Sequence, residues 1–141
     1  MTHNELRKYL VDHYPESTLQ MITDERKAAL LAEYPKLPSD YVQFLCEVGF
    51  GAIGDARYSV YGGPVDPSFV FDQVTAGGLR DVVLIGDDFA GGQEAFQFRN
   101  EGTIFGSVDS LSGRFEPDDD GTFSKFIERW FVESEPSLTL V

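Results

Sequence analysis

Cysteine occurs once in this chain, at Cys46, and histidine twice, at His3 and His13. A single thiol excludes an internal disulfide, and a reducing cytosol is the simplest expected home. Both histidines lie near the amino terminus, and no C-x-x-C, H-E-x-x-H or G-x-S-x-G spacing occurs. A metal centre of ordinary ligands and a hydrolase nucleophile elbow are therefore not expected. Basic residues are scarce too, 11 against 24 acids, for a net charge of -13. A field of that sign repels phosphate backbones and anionic headgroups, so neither nucleic acid nor a membrane surface is an expected partner. Long apolar runs are also missing: Val82 to Ile85 and Ala28 to Ala32 fall far short of the ~20 residues that cross a bilayer. The opening MTHNELRKYL lacks the basic region and apolar core of a secretory leader, so a cytoplasmic protein is expected.

What the chain does have is 141 residues with 42% hydrophobic and 13% aromatic content, enough for one compact domain with a sizeable core. Its acidity is uneven. Residues 1–50 carry eight acids and five bases, whereas residues 51–141 carry sixteen acids and six bases. The second part is suited either to solubility alone or to a basic partner, and composition leaves that choice open.

Thr2 with Glu5 has capping-box spacing, and Leu6, Tyr9, Leu10 and Tyr14 recur at helical intervals until Pro15. Thr23 before Asp24 and Glu25 starts a second helix that runs to Pro35. In LPSDYVQFLCEVG, Tyr41, Phe44, Leu45 and Val48 form one apolar stripe between Pro38 and Gly49. Strands are expected over Arg57 to Tyr61, Val82 to Ile85, Glu94 to Arg99 and Thr103 to Val108, with Arg114 to Glu116 as a further candidate. PVDPSFVFDQVT fits a short helix capped by Asp66 or an edge strand. A Thr122 cap then opens a helix whose Phe123, Phe126, Ile127, Trp130 and Phe131 share one face, and ESEPSLTLV reads as a loose tail. Helices, then short strands joined by tight turns, then a helix make an α+β pattern. The expected architecture is a single domain: a twisted, mostly antiparallel sheet with the N-terminal helices and a C-terminal amphipathic helix packed against it.

Three stretches invite a chemical reading. VGFGAIGD has G-x-G-x-x-G spacing at Gly49, Gly51 and Gly54, but it follows a helix and precedes a strand, the reverse of the order a dinucleotide site needs. Its glycines are expected to terminate the helix and bend the chain, and no cofactor is expected. IGDDFAGGQEAF lacks the Lys-Ser/Thr pair of a phosphate loop, and Asp87 and Asp88 would repel phosphate. A hairpin with positive φ at Gly91 and Gly92 is expected instead. In EPDDDGTFSKFIE, residues Glu116, Asp118, Asp120 and Gly121 match the start of a calcium loop, but Ile127 stands where the bidentate glutamate belongs. An acidic turn favouring the positive end of the following helix is the better reading. For catalysis, a Cys46 and His13 dyad is disfavoured because Cys46 sits beside Phe44 and Leu45 on a core-facing helix. Paired carboxylates such as Asp87 and Glu94 could do acid and base work, although with 24 acids some pairs will be close by chance.

From about Asp24 to Phe131 the chain resembles the SUKH superfamily, which includes the fungal Smi/Knr cell-wall-synthesis regulators and many bacterial immunity proteins. EYPKLPSDYVQFLCEVGFG is similar to that family's helix, leucine-proline, helix and terminal glycine turn. VVLIGDDFAGGQEAFQF is similar to its strand, acidic-glycine loop and strand, and GTFSKFIERWF to its closing capped aromatic helix. Val48 stands where the family usually has an asparagine before the turn glycine. The resemblance implies a helical extension over 1–22, a SUKH domain over 23–134, a tail over 135–141 and no catalytic residues. It further implies a protein partner, a basic toxin domain encoded nearby that the chain would neutralise by binding; the alternative is a regulatory scaffold for endogenous signalling or cell-wall-synthesis proteins. Contacts are expected at acidic positions of the sheet half, namely Asp87, Asp88, Asp118, Asp119 and Asp120, acting by steering and by pairing with Lys or Arg.

Overall fold

The computed structural model describes residues 1–119 and 121–133; Asp120 and the expected tail lie outside them. The capping box at Thr2 and Glu5 forms as expected, with Thr2 Oγ1 accepting from Glu5 N and Glu5 Oε1 accepting from Thr2 N, and it opens helix α1, His3–His13. Thr23 accepts from Arg26 N to open α2, Asp24–Glu33. Helix α3, Ser39–Glu47, buries Tyr41, Phe44 and Leu45 along the stripe read from the sequence. The six strands are β1 Gly51–Ile53, β2 Tyr58–Val65, β3 Val82–Asp87, β4 Gly92–Arg99, β5 Gly102–Asp109 and β6 Phe115–Pro117. Each pairs antiparallel with the next, in the order β1-β2-β3-β4-β5-β6. The chain is an α+β domain, and among the described residues no helix is long and apolar enough to cross a membrane.

Alternation along the strands splits the core in two. Val83, Ile85, Phe96 and Phe105 face the helices, where they join Leu6, Leu10, Leu30, Phe44, Phe123 and Ile127 in the larger cluster. Val82, Leu84, Ala95 and Val108 face the other way and form a smaller cluster with Leu79. Burial on both faces explains why β3 reads as the unbroken run VVLI rather than an alternating one. The ambiguous stretch after β2 covers part of the second face. Asp66 accepts from Ser68 N to cap a single 3-10 turn, Pro67–Phe69, and Asp72 accepts from Thr75 N to cap the short helix α4, Gln73–Gly77.

The chain closes with α5, Phe123–Glu128, continued by a wider π turn over Arg129–Glu133, and Thr122 caps it through Lys125 N. Phe123, Phe126, Ile127 and Phe131 are buried as the helical face requires, while Trp130 stays partly exposed. All three glycines of VGFGAIGD have positive φ, at 114°, 124° and 69°. The reason at Gly49 and Gly51 is a close approach. Residues 18–20 run alongside β1, with Gln20 and Phe50 exchanging backbone bonds of 2.9 Å, and a Cβ on Gly51 would lie 2.5 Å from Thr18 O.

Candidate functional site

The hairpin between β3 and β4 is built by its own two aspartates. Asp87 Oδ1 accepts from Phe89 N at 2.7 Å, and Asp88 Oδ1 accepts from Ala90 N at 2.7 Å and Gly92 N at 2.9 Å. Side-chain oxygens thus stand in for backbone acceptors, as is common for aspartate in turns. Positive φ occurs at Gly91 as expected, but the second such residue is Phe89, at 63°, and not Gly92. Gly92 already belongs to β4, and its lack of a side chain serves space: a Cβ there would lie 2.5 Å from Asp88 Oδ2. A bulky residue in the left-handed region is unfavourable, so the aspartate bonds hold Phe89 in a costly conformation. Its ring is 55% exposed at the hairpin tip. The sequence spacing gave no sign of this.

Behind the tip lies Glu94, only 5% exposed. It faces the helical side of the sheet in line with Phe96, and Tyr58 Oη donates to its Oε1 at 2.5 Å. Tyr58 is fully buried among the rings of Phe123, Phe126, Trp130 and Phe131, at centroid distances of 5.7 to 6.4 Å. Room for its hydroxyl exists because β3 has Gly86 opposite Glu94; a Cβ there would sit 2.2 Å from the Tyr58 oxygen. Burial pushes the Glu94 carboxyl up from an ordinary 4.5 to about 7; the Tyr58 bond opposes that shift, and the charges of Asp88 and Asp118 add to it.

Two of the expected contact positions are therefore brought together around a buried carboxyl that sequence reading had not placed among them. Asp118 reaches this corner because its backbone N–H donates to Phe105 O at 3.0 Å, extending the pairing past β6. Asp119 is exposed beside it, and Asp120 lies outside the described residues. Asp87 belongs to the opposite face: burial, with the Asp87 charge adding to it, lifts the Tyr61 phenol to about 12, and Tyr61 Oη donates to Gln93 Oε1 at 2.8 Å. Asp87 and Glu94 are therefore not a carboxylate pair facing one site. Among the described residues no group of three or more histidine, cysteine or acidic side chains is arranged to hold a metal.

A second polar cluster joins three helices. His3 Nδ1 lies 3.1 Å from Glu47 Oε1, and His3 Nε2 lies 2.8 Å from Ser124 Oγ. The outline resembles a nucleophile with its base and orienting acid, but Asp40 Oδ2 accepts both the Ser124 hydroxyl at 2.8 Å and its N–H at 3.2 Å. The hydroxyl proton is therefore directed at a carboxylate and not at the imidazole, which leaves the serine a connector between α1, α3 and α5 rather than an activated nucleophile. The candidate dyad fares no better. His13 stacks on Tyr9 at 3.9 Å, and Cys46 is a half-buried thiol whose pKa is raised by burial.

No family model, curated protein or solved structure matches the chain.

Proposed function

We propose that this chain is a non-catalytic protein-binding domain of the SUKH type, an immunity protein that neutralises a cognate bacterial toxin by direct binding. The observation that carries this reading is the β3–β4 tip, where an exposed aromatic residue is held at positive φ directly after two aspartates that build the turn. Backbone strain of this kind tends to persist at functional positions. Buried aromatic anchors usually supply most interface energy, while surrounding charges steer the encounter and select the partner. Phe89 would be the anchor. Asp88, Asp118 and Asp119, with Asp87 at the rim, would favour a toxin surface carrying lysine or arginine around an apolar pocket, consistent with the net charge of -13.

The test uses the last domain of a toxin encoded next to this gene. Wild-type chain should rescue cells that express that domain and should bind it in calorimetry, with an affinity that falls as salt rises. Phe89→Ala and the pair Asp87→Lys, Asp88→Lys should each weaken binding about tenfold or more. Binding unchanged by salt and by all three substitutions would remove this interface, and failure to rescue would remove the immunity role itself.

A further inference from the structure

The residue that builds the β3–β4 turn also stands beside the buried carboxyl behind it. Asp88 Oδ1 accepts from Ala90 N and Gly92 N, and Asp88 N donates to Gly92 O at 3.1 Å, so one residue holds the turn through three bonds. Its carboxylate lies over Gly92, where a Cβ would come within 2.5 Å of Oδ2. Register fixes what it faces. Gly86 pairs with Glu94 and Asp87 with Gln93, so Gly86, Asp88, Gly92 and Glu94 share the helical side of the sheet. Alternate residues of a strand are only about 7 Å apart, and the two glycines put no side chain between the Asp88 and Glu94 carboxyls. The other neighbours of Glu94 bring no cation: Tyr58 on β2 donates to it, Ser107 is its partner on β5, Asp118 follows β6, and the rings of Phe126 and Trp130 pack on Tyr58. Among the described residues no lysine, arginine or histidine lies within ion-pair distance of Glu94 or Asp88.

We propose that Asp88 and Glu94 form a proton-gated switch of the tip: the turn is closed while Glu94 keeps its proton and loosens when Glu94 ionises, unless a cationic group is placed between the two carboxyls. Like charges at neighbouring positions of paired strands oppose each other. Glu94 is buried, so Asp88, which is partly exposed, is the one that swings out to water. Doing so abandons its bonds to Ala90 and Gly92 and weakens the constraint that holds Phe89 at a φ of 63°. Closing the turn and keeping the proton favour one another. With the turn closed, burial lifts the Glu94 carboxyl to about 7 and the Asp88 charge adds to the lift. An open turn takes Asp88 away, so the open form gives up its proton at a lower pH than the closed one. Closure is therefore complete on the acid side and weakens as pH rises toward and through 7. The corner is the one proposed above as the toxin contact, and the regulatory meaning of the switch rests on that reading: a lysine or arginine of the partner would close the turn at a pH where the free tip is loose.

NMR relaxation of the backbone amides of the free protein, at pH 6 and pH 8, tests the switch without any toxin. Order parameters at Phe89, Ala90 and Gly91 should be those of rigid backbone, about 0.85, at pH 6 and should fall toward about 0.6 at pH 8. Glu94→Gln removes the titrating group, and Asp88→Asn keeps an acceptor oxygen for the turn without its charge. Each variant should hold the tip rigid at both pH values. A wild-type tip equally ordered at pH 6 and pH 8, or one that loosens as far in Glu94→Gln or in Asp88→Asn, would overturn the proposal. The toxin reading stands or falls by rescue of cells, which none of these results decides.

Discussion

Replacing Glu94 by Gln should make the protein more stable at neutral pH, and the gain follows from the buried carboxyl. The folded state holds this group near 7, against an ordinary value of 4.5 for an exposed glutamate. Below pH 4.5 it is protonated both folded and unfolded and has no effect. Between 4.5 and about 7 the unfolded chain releases the proton while the folded chain retains it, so stability falls as pH rises; above 7 the full penalty applies. At about 1.4 kcal/mol per pH unit that penalty is about 3 kcal/mol. Glutamine is isosteric and neutral, and its amide oxygen can still accept from Tyr58 Oη. For a chain of this length a gain of about 3 kcal/mol raises Tm by about 10 °C. Urea titrations of both proteins from pH 4.5 to pH 8, followed by Trp130 fluorescence, give the difference directly. It should be near zero at the acid end and grow steadily to its maximum by pH 8. A difference that does not change with pH, or a glutamine variant less stable than wild type at pH 8, would refute the account.

Gly86→Ala should destabilise the fold by about 2 to 3 kcal/mol in urea denaturation, because the new methyl would overlap Tyr58, which is packed on all sides and has no space to withdraw. Phe89→Gly should raise stability by up to about 1 kcal/mol by relieving the left-handed backbone, while weakening the proposed toxin contact. Thermal melts and calorimetry on the same sample separate the two effects, and a lower melting temperature would mean that the ring supports the fold. A cationic toxin surface docked on this corner should also draw the proton from Glu94. Calorimetry at pH 6 in buffers of differing ionisation enthalpy should then report release of up to about one proton, lost in Glu94→Gln; equal release by both proteins would exclude Glu94 as the source.

Local signals carried the helices. Thr2, Thr23 and Thr122 cap them as their spacing predicts, and the stripe from Tyr41 to Val48 is buried throughout. The sheet was less legible where distant chain decides the backbone. A strand is expected over Arg57 to Tyr61, and β2 runs past Tyr61 through Gly62, Gly63 and Pro64. It continues to Val65 because α2 lies across it, and a Cβ on Gly63 would lie 2.8 Å from Arg26 Nη2 and 3.0 Å from Leu30 Cδ2. Those glycines make room for a helix. Strand β1 has three residues and depends on Thr18 and Gln20, some thirty positions upstream, so no local pattern announces it. The further candidate at Arg114 to Glu116 forms one residue later, as Phe115–Pro117 on the sheet edge, where proline is tolerated. At the acidic corner, Asp87 and Asp88 were visible as charges, but their work as turn acceptors was not. Glu94 is buried against Tyr58, 36 positions away, and His3 meets Ser124 across 121.

Strand β4 explains how one small sheet presents two faces of different character. Glu94 and Phe96 point to the helices, whereas Gln93 and Ala95 point to the other face. On the helical side an acid sits where a neutral residue of similar shape would cost less, beside Asp88 and Asp118, which raise the cost further. Stability alone does not account for three carboxyls placed to repel one another, since natural chains readily tolerate substitutions that relieve such repulsion. A cationic partner reverses the balance, because the charges that destabilise the free protein become the charges that hold the complex. On the other side the polar group of the same strand is neutral, since Gln93 Oε1 accepts from Tyr61 Oη at 2.8 Å. The alternation of one buried strand thus confines the cost of a buried acid to the helical side, and that is where a cationic partner would offset it.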